Sequence, residues 1–367
     1  MEQLATARLW AMSTSPPLIL VVGMHRSGTS LLGSILQALG VALPGPLISG
    51  DSHNPEGYFE RSDITALQEE LLIDLERWWP SERGTLPLPQ HWLESARGQR
   101  AAACLRRLLA TDQQQQHDAW AIKDPRSSLL LPLWRQVAID LKLPLRLLLA
   151  FRDPGEVVTS LLNRDATATG ISTGRAQALW LRHHQQLLRD GADLPLQVVS
   201  YSRWFRDPRP QIEALQQFCQ PQIQSVEAIQ AALACIKPEH RRSRQPLRLS
   251  RRVQRWHQQL ERAATTGNSD PLRRWALRQE PLRSAHAQPD SHPWSRALNA
   301  LGSSDPADLQ VWQQHGIPEL SLQQLAALNQ PGFPGNDPSS SDGPALPRQL
   351  RLQLIGAAIE QWSTHLW

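Results

Sequence analysis

Three stretches of the chain are apolar without alternation: LILVVG at 18–23, LRLLLAF within 145–153, and LQVV within 196–201. A strand with one wet face would show a polar residue at every second position. These runs do not, so they are expected to be strands buried on both faces, as in a parallel sheet. A fourth segment, AWAIKDPR at 119–126, reads as a short strand running into a turn. Between these runs the spacing changes to three and four. Leu31, Leu32, Ile35, Leu36 and Leu39 share one helical face, and Gly40 ends that pattern. Further helices are expected at 62–77, 99–111, 128–140, from Pro154 onward, at 173–190 and at 208–219. Residues 41–62, rich in Gly, Pro, Asn and Asp, read as an extended loop, and 81–98 as irregular.

Strands that alternate with helices predict an α/β fold: a parallel β-sheet flanked by helices on both faces. Ligands on such sheets bind at the carboxyl ends of the strands. The polar residues of interest fall there: 24–30 after the first strand, 123–126 after the second, 152–153 after the third and Tyr201 after the fourth. Beyond about residue 245 the strand pattern stops. Helices are expected at 247–264, 271–278 and 348–365, with a linker at 330–347. The organisation read from the chain is a domain at 17–245 and a mostly helical, Arg- and Trp-rich extension at 246–367.

Composition adds three points. The three cysteines have no metal-ligand spacing and cannot form a disulfide framework. No apolar run reaches the roughly 18 residues of a membrane span. Residues 1–17 lack a basic start followed by a long apolar stretch, so the expected location is cytoplasmic. Charge is uneven: residues 241–284 hold twelve arginines against three acids, a balance of +9 within a total of +4. Such a block fits an anionic partner as well as it fits a solvated helical face. Lysine is nearly absent, with Lys123, Lys142 and Lys237 set against 35 arginines.

The first strand leads into GMHRSGTSLL, with Gly23 and Gly28 five apart. A loop between a buried strand and a helix aims backbone N–H groups at one point, and the helix N-terminus adds positive charge. That suits a phosphate or sulfate oxyanion. Nucleoside-triphosphate loops carry Lys after the second glycine, where Thr29 stands here. The positive charge comes earlier, at Arg26.

GMHRSGTSLL resembles the 5′-phosphosulfate loop of sulfotransferases that use 3′-phosphoadenosine 5′-phosphosulfate (PAPS), in the version with Arg before Ser-Gly-Thr. FRDPGEVVTSLL is similar to that family's second motif, an Arg after a buried strand and a Ser eight residues on, here Arg152 and Ser160. IKDPR resembles the Lys-Asp-Pro segment of tyrosylprotein-type and bacterial members, and VVSYSRWFRDP the strand ending in Tyr; the family's Glu-Asp after that Tyr is Ser202-Arg203 here. The resemblance covers about residues 17–245. It implies a P-loop-type fold and in-line transfer of a sulfuryl group from PAPS to an acceptor hydroxyl, with a carbohydrate as first expectation. No metal and no nucleic-acid partner are implied.

On that resemblance His25, Arg26, Ser27, Gly28, Thr29 and Ser30 hold the 5′ end of the donor. Arg152 and Ser160 grip its 3′-phosphate, Tyr201 lies near the adenine, and Arg241 or Arg242 reaches back over the 3′-phosphate. Arg26 and Lys123 neutralise the transferring oxygens. For the base, Glu60 fits best by position, with Glu56 and His53 behind it. Glu60 has a plain alternative as an acid at the start of the helix at 62–77. His183 and His184 read as surface residues, since neighbours on a helix cannot face one site. Trp78, Trp79 and Trp92 would suit stacking on sugar rings, with burial in the core or an interface as the commoner use of Trp. Two other classes stay open: a P-loop kinase or nucleotide hydrolase in which Asp153 holds magnesium, and a non-catalytic nucleotide or polyanion binder using the arginine block.

Overall fold

A computed structural model describes residues 16–280, apart from 51–53, 55, 80–81, 116, 170, 220–224 and 238–246. The expected helix at 348–365 and linker at 330–347 lie outside the described residues, as do His53, Arg241 and Arg242. The described strands are β1 (Leu18–Val22), β2 (Trp120–Lys123), β3 (Leu145–Phe151) and β4 (Leu196–Ser200). They form one parallel sheet in the order β2-β1-β3-β4. Both faces of β1 are fully buried, which explains its unbroken apolar run.

Helices cover the two faces unequally. Ile19 and Val21 look toward α1 (Thr29–Ala38), α7 (Pro208–Cys219) and α8 (Val226–Ala234), whose buried residues share their cluster. Leu18, Leu20 and Val22 share the larger cluster with α2 (Ser62–Asp74), α3 (Ala96–Gln113), α4 (Leu131–Asp140), α5 (Pro154–Thr169) and α6 (Thr173–Asp190). The larger cluster also takes in α9 (Arg251–Thr266) and α10 (Asp270–Arg278), through Val253, Trp256, Leu260 and Leu272.

Chain direction makes a crevice. β1 and β3 are neighbours, yet α1 follows β1 onto one face while α5 and α6 follow β3 onto the other. Connections that leave adjacent strands toward opposite faces open a gap at their carboxyl ends, the usual ligand position on such sheets. The loops at 23–28 and 152–153 sit at that gap.

Two expectations need correction. The helix expected at 62–77 ends at Asp74, because Glu76 adopts a left-handed backbone (φ 54°) and turns Trp78 and Trp79 into the core. His183 and His184 are not on the surface; both are 0 % exposed. α6 is covered by neighbours from several directions, so adjacent positions are buried together. Each imidazole donates its Nδ1–H to the carbonyl four residues back, to Leu179 at 2.9 Å and Trp180 at 2.7 Å. Burial pushes His183 down to about 3 and His184 down to about 4. An imidazole that is harder to protonate when folded gives its full stability above the unfolded value of about 6.5, and loses it as pH falls toward the folded value. Urea unfolding at pH 7 and pH 5.5 should therefore show a loss of about 1.4 kcal/mol for each histidine. His184→Gln should flatten that difference; an unchanged slope would count against the buried neutral imidazole.

Candidate functional site

The loop after β1 is shaped by what touches it. Gly23 has φ 145°, and its N–H and C=O both bond the Ser128 hydroxyl, at 2.8 and 3.0 Å. This ties the turn after β2 to the root of the loop. Arg26 holds a left-handed backbone (φ 67°), a conformation that costs energy for a side chain with Cβ and tends to occur at functional positions. Gly28 has φ 84°, and a Cβ there would sit 2.2 Å from the Tyr201 ring. Tyr201 thus lies directly on the loop.

Gly28 is the N-cap of α1. No side chain caps this helix, and its first turn has no acid. The Ser27 hydroxyl is 1 % exposed and has no hydrogen-bond partner among the described residues. A buried orphan hydroxyl beside an uncapped helix start fits an oxyanion that brings its own acceptors. Thr29 is buried in the first turn, and the Ser30 hydroxyl lies 3.4 Å from the Tyr58 carbonyl. The His25 ring stacks on Trp79 at 4.5 Å and meets His183 edge-on at 6.1 Å.

Residues far apart in sequence meet at this loop. The Arg26 Nε donates to the Ser160 hydroxyl at 2.9 Å, across 134 positions. The Arg152 guanidinium lies 4.5 Å from the centre of the Tyr201 ring and donates from Nε to Glu156 at 2.6 Å. Gly28, Tyr201 and Arg152 therefore form a stack, with Arg26 and Ser160 beside it. Asp153 is spent differently: its carboxylate accepts from the N–H groups of Gly155 (2.8 Å) and Glu156 (3.3 Å), capping α5. Its Oδ1 is therefore occupied as the cap of α5.

A second cluster gathers at the end of β2. The Ile48 N–H donates to the Glu60 carbonyl at 2.8 Å, and Leu47 bridges Arg61. Arg61 is 5 % exposed and grips Asp63 with two bonds of 2.9 and 2.7 Å; it also pairs with Asp112 on α3. These anchors fix Glu60. Its Oε1 accepts from Lys123 Nζ at 2.5 Å and its Oε2 from Arg126 at 3.1 Å. Burial alone would raise the Glu60 pKa, but Lys123 and Arg126 hold it below the ordinary carboxylate value, so it is ionised at neutral pH. It is an ion-pair partner rather than a helix cap, since Arg61 occupies the N-cap position of α2.

Arg126 and Glu69 complete the cluster. The IKDPR segment carries Arg126 with no role implied by the resemblance, and no local pattern marks Glu69; Thr65 and Glu69, four apart on α2, face the β2 turn together. Glu56 stands apart from this group in its bonding, paired with Lys237. Trp78, Trp79 and Trp92 are 5, 7 and 8 % exposed, so their faces are used in the core and the expected sugar-stacking role is withdrawn.

A family model described as the sulfotransferase family matches residues 17–225. Sulfotransferase STF9 from Mycobacterium avium is similar in structure, at 17 % identity over 71 % of this chain and 80 % of that one, with TM-score 0.41. Sulfotransferase STF1 from Mycobacterium tuberculosis H37Rv shows 15 % identity over 63 % of this chain and 75 % of that one, with TM-score 0.35. No curated protein matches. The family model spans more than half of the sequence and includes the loop, both ion-pairing clusters and the Tyr201 stack; the chain belongs to the sulfotransferase family.

Proposed function

We propose that the chain moves a sulfuryl group from PAPS to an acceptor hydroxyl, with a carbohydrate hydroxyl as the first class to try. The observation that carries the donor assignment is the bond between Arg26 and Ser160 beside the Gly28–Tyr201–Arg152 stack. It supports a single anionic ligand that spans the phosphosulfate loop and the Arg152–Ser160 pair. On this reading the N–H groups of residues 25–30 and the hydroxyls of Ser27, Thr29 and Ser30 receive the 5′-phosphate. Arg152 offers a planar fork to the 3′-phosphate, with Ser160 as a further donor. Tyr201, itself 8 % exposed, acts on the adenine side by holding Arg152 against the loop.

Transfer is written in line. The acceptor oxygen forms a bond to sulfur as the bond from sulfur to the bridging phosphate oxygen breaks, leaving 3′-phosphoadenosine 5′-phosphate (PAP). Arg26 and Lys123 meet the charge on the leaving and transferring oxygens. Glu60 takes the acceptor proton. A carboxylate held by two cations is a weak base, but weakness is tolerable here. In a loose group transfer the attacking oxygen becomes acidic only as its new bond forms. On this reading the donor contacts lie within 17–245 and 246–367 is an extension, in whose described part α9 packs on β4 and Ser269, before α10, donates to the Leu196 carbonyl at 3.0 Å. No described helix is long and apolar enough to cross a membrane.

Calorimetric titration of the full chain with PAP tests the donor. Binding should persist in EDTA, and Arg26→Ala should weaken it by about 10-fold or more, the loss of one charged contact. Binding of ATP that requires magnesium, with none of PAP, would overturn the proposal in favour of a kinase. Polyanion binding that survives Arg26→Ala while PAP fails to bind would favour the non-catalytic binder.

A further inference from the structure

The reaction described above gives no task to Arg126, yet its guanidinium contacts three different carboxylates of the second cluster. Its Nη1 lies 3.1 Å from Glu60 Oε2 and 2.9 Å from Asp124 Oδ1, and its Nε lies 2.5 Å from Glu69 Oε1. Asp124 is held in turn by the Arg126 backbone N–H at 2.9 Å and the Thr65 hydroxyl at 3.1 Å. Desolvation works against the Arg126 charge, but Asp124, Glu69 and Glu60 outweigh it and raise the pKa well above the ordinary value. Arg126 is a permanent, immobile charge. Lys123 differs. Its ammonium, on a side chain 2 % exposed, has Glu60 Oε1 as its ion-pair partner among the described residues. Glu60 is thus shared, with one oxygen on a cation that pairs with it through a single bond and the other on a cation that three carboxylates hold.

This sharing matters once a donor arrives. The sulfuryl oxygens and Glu60 would compete for the Lys123 ammonium. A buried carboxylate stripped of all cations is strongly destabilised, so Glu60 alone would hold Lys123 back. With Arg126 still on Oε2, the carboxylate can release Lys123 at small cost. We propose that Arg126 is a positioning residue: it retains the Glu60 carboxylate, in place and ionised, so that Lys123 can exchange from Glu60 to the transferred group of the donor. The proposal rests on the donor reading above.

Binding measurements test it without a known acceptor. PAPS and PAP differ by the sulfuryl group, so the ratio of their affinities reports contacts to that group. In calorimetry on the full chain, Arg126→Gln should weaken PAPS by about 10-fold while leaving PAP within about 2-fold, a coupling of ordinary size, and Arg126→Lys, which keeps the charge, should recover part of that loss. Glu60→Gln, which removes the competitor, should tighten PAPS by about 3-fold or more. In the Glu60→Gln background, Arg126→Gln should have no further effect. Equal weakening of PAPS and PAP would mean a merely structural role and would overturn the proposal, as would the same loss in the Glu60→Gln background. If neither Arg126 variant folds, as judged by thermal melts, Glu60→Gln alone decides, and unchanged or weaker PAPS binding refutes the exchange. A wild-type chain that binds neither nucleotide sinks the donor reading itself, an outcome distinct from wild-type binding with no Arg126 effect.

Discussion

Arg152→Ala should reduce PAP affinity by about 100-fold or more, the largest binding effect expected of a single substitution outside the loop. The 3′-phosphate is a dianion near neutral pH, and a guanidinium fork offers it two parallel charge-assisted bonds. Each such bond contributes about 1.5–3 kcal/mol, so losing both accounts for two or more decades of affinity. The arginine is already oriented, since its plane lies against Tyr201 and its Nε is occupied by Glu156. That preorganisation limits the entropy lost on binding. Arg152→Lys keeps the charge without the fork and should recover only part of the affinity. Calorimetry reads both variants. An Arg152→Ala protein that binds PAP within about 3-fold of wild type would remove the 3′-phosphate assignment, whatever the loop does.

Gly23→Ala should cost about 3 kcal/mol or more of stability, the largest folding effect expected. Its φ of 145° is a region that residues with Cβ rarely enter, and the added carbon would stand 2.2 Å from the Ala150 carbonyl oxygen. That oxygen belongs to the backbone of β3, in the centre of the sheet, and cannot swing aside. Strands β1 and β3 would have to separate, and the Ser128 bonds to Gly23 would go with them. Gly28→Ala makes a useful contrast. Its added carbon also falls 2.2 Å from a neighbour, but the neighbour is the Tyr201 ring. A ring can turn, so this variant should fold with a smaller loss and fail mainly in nucleotide binding. Urea midpoints for the two variants check the order. A Gly23→Ala midpoint equal to that of Gly28→Ala would mean that the loop root is not pinned by β3.

The contrast between these glycines bears on what could be read from the chain. The strand-loop-helix order and the loop itself were legible, because unbroken apolar runs have few alternatives in a folded chain of this size. The N-terminal end of α1 was legible for a local reason: Gly28 and the helical spacing that follows it lie within one turn of each other. Which residue forces Gly28 was not legible, since Tyr201 is 173 positions away. The histidines of α6 were misread for a related reason. Polar neighbours on a helix look like a wet face unless one knows that partners cover the helix from several directions. Whether the tryptophans at 78, 79 and 92 are platforms or core depends on how their loop folds back, which no local pattern records.

The sequence by itself determined which chemical groups line the carboxyl edge of the sheet: Arg26, Lys123, Arg152 and Tyr201 each follow an apolar run, and strand direction carries them to one side. Only the tertiary structure decided how those groups pair. Glu60 is joined to Lys123 and Arg126 across 63 and 66 positions, and Arg26 to Ser160 across 134. Pairings over such separations depend on crossover geometry and on the loop that Arg61 anchors. Local spacing constrains a backbone through its own dihedral angles, whereas an ion pair between distant segments is set by the packing of everything between them.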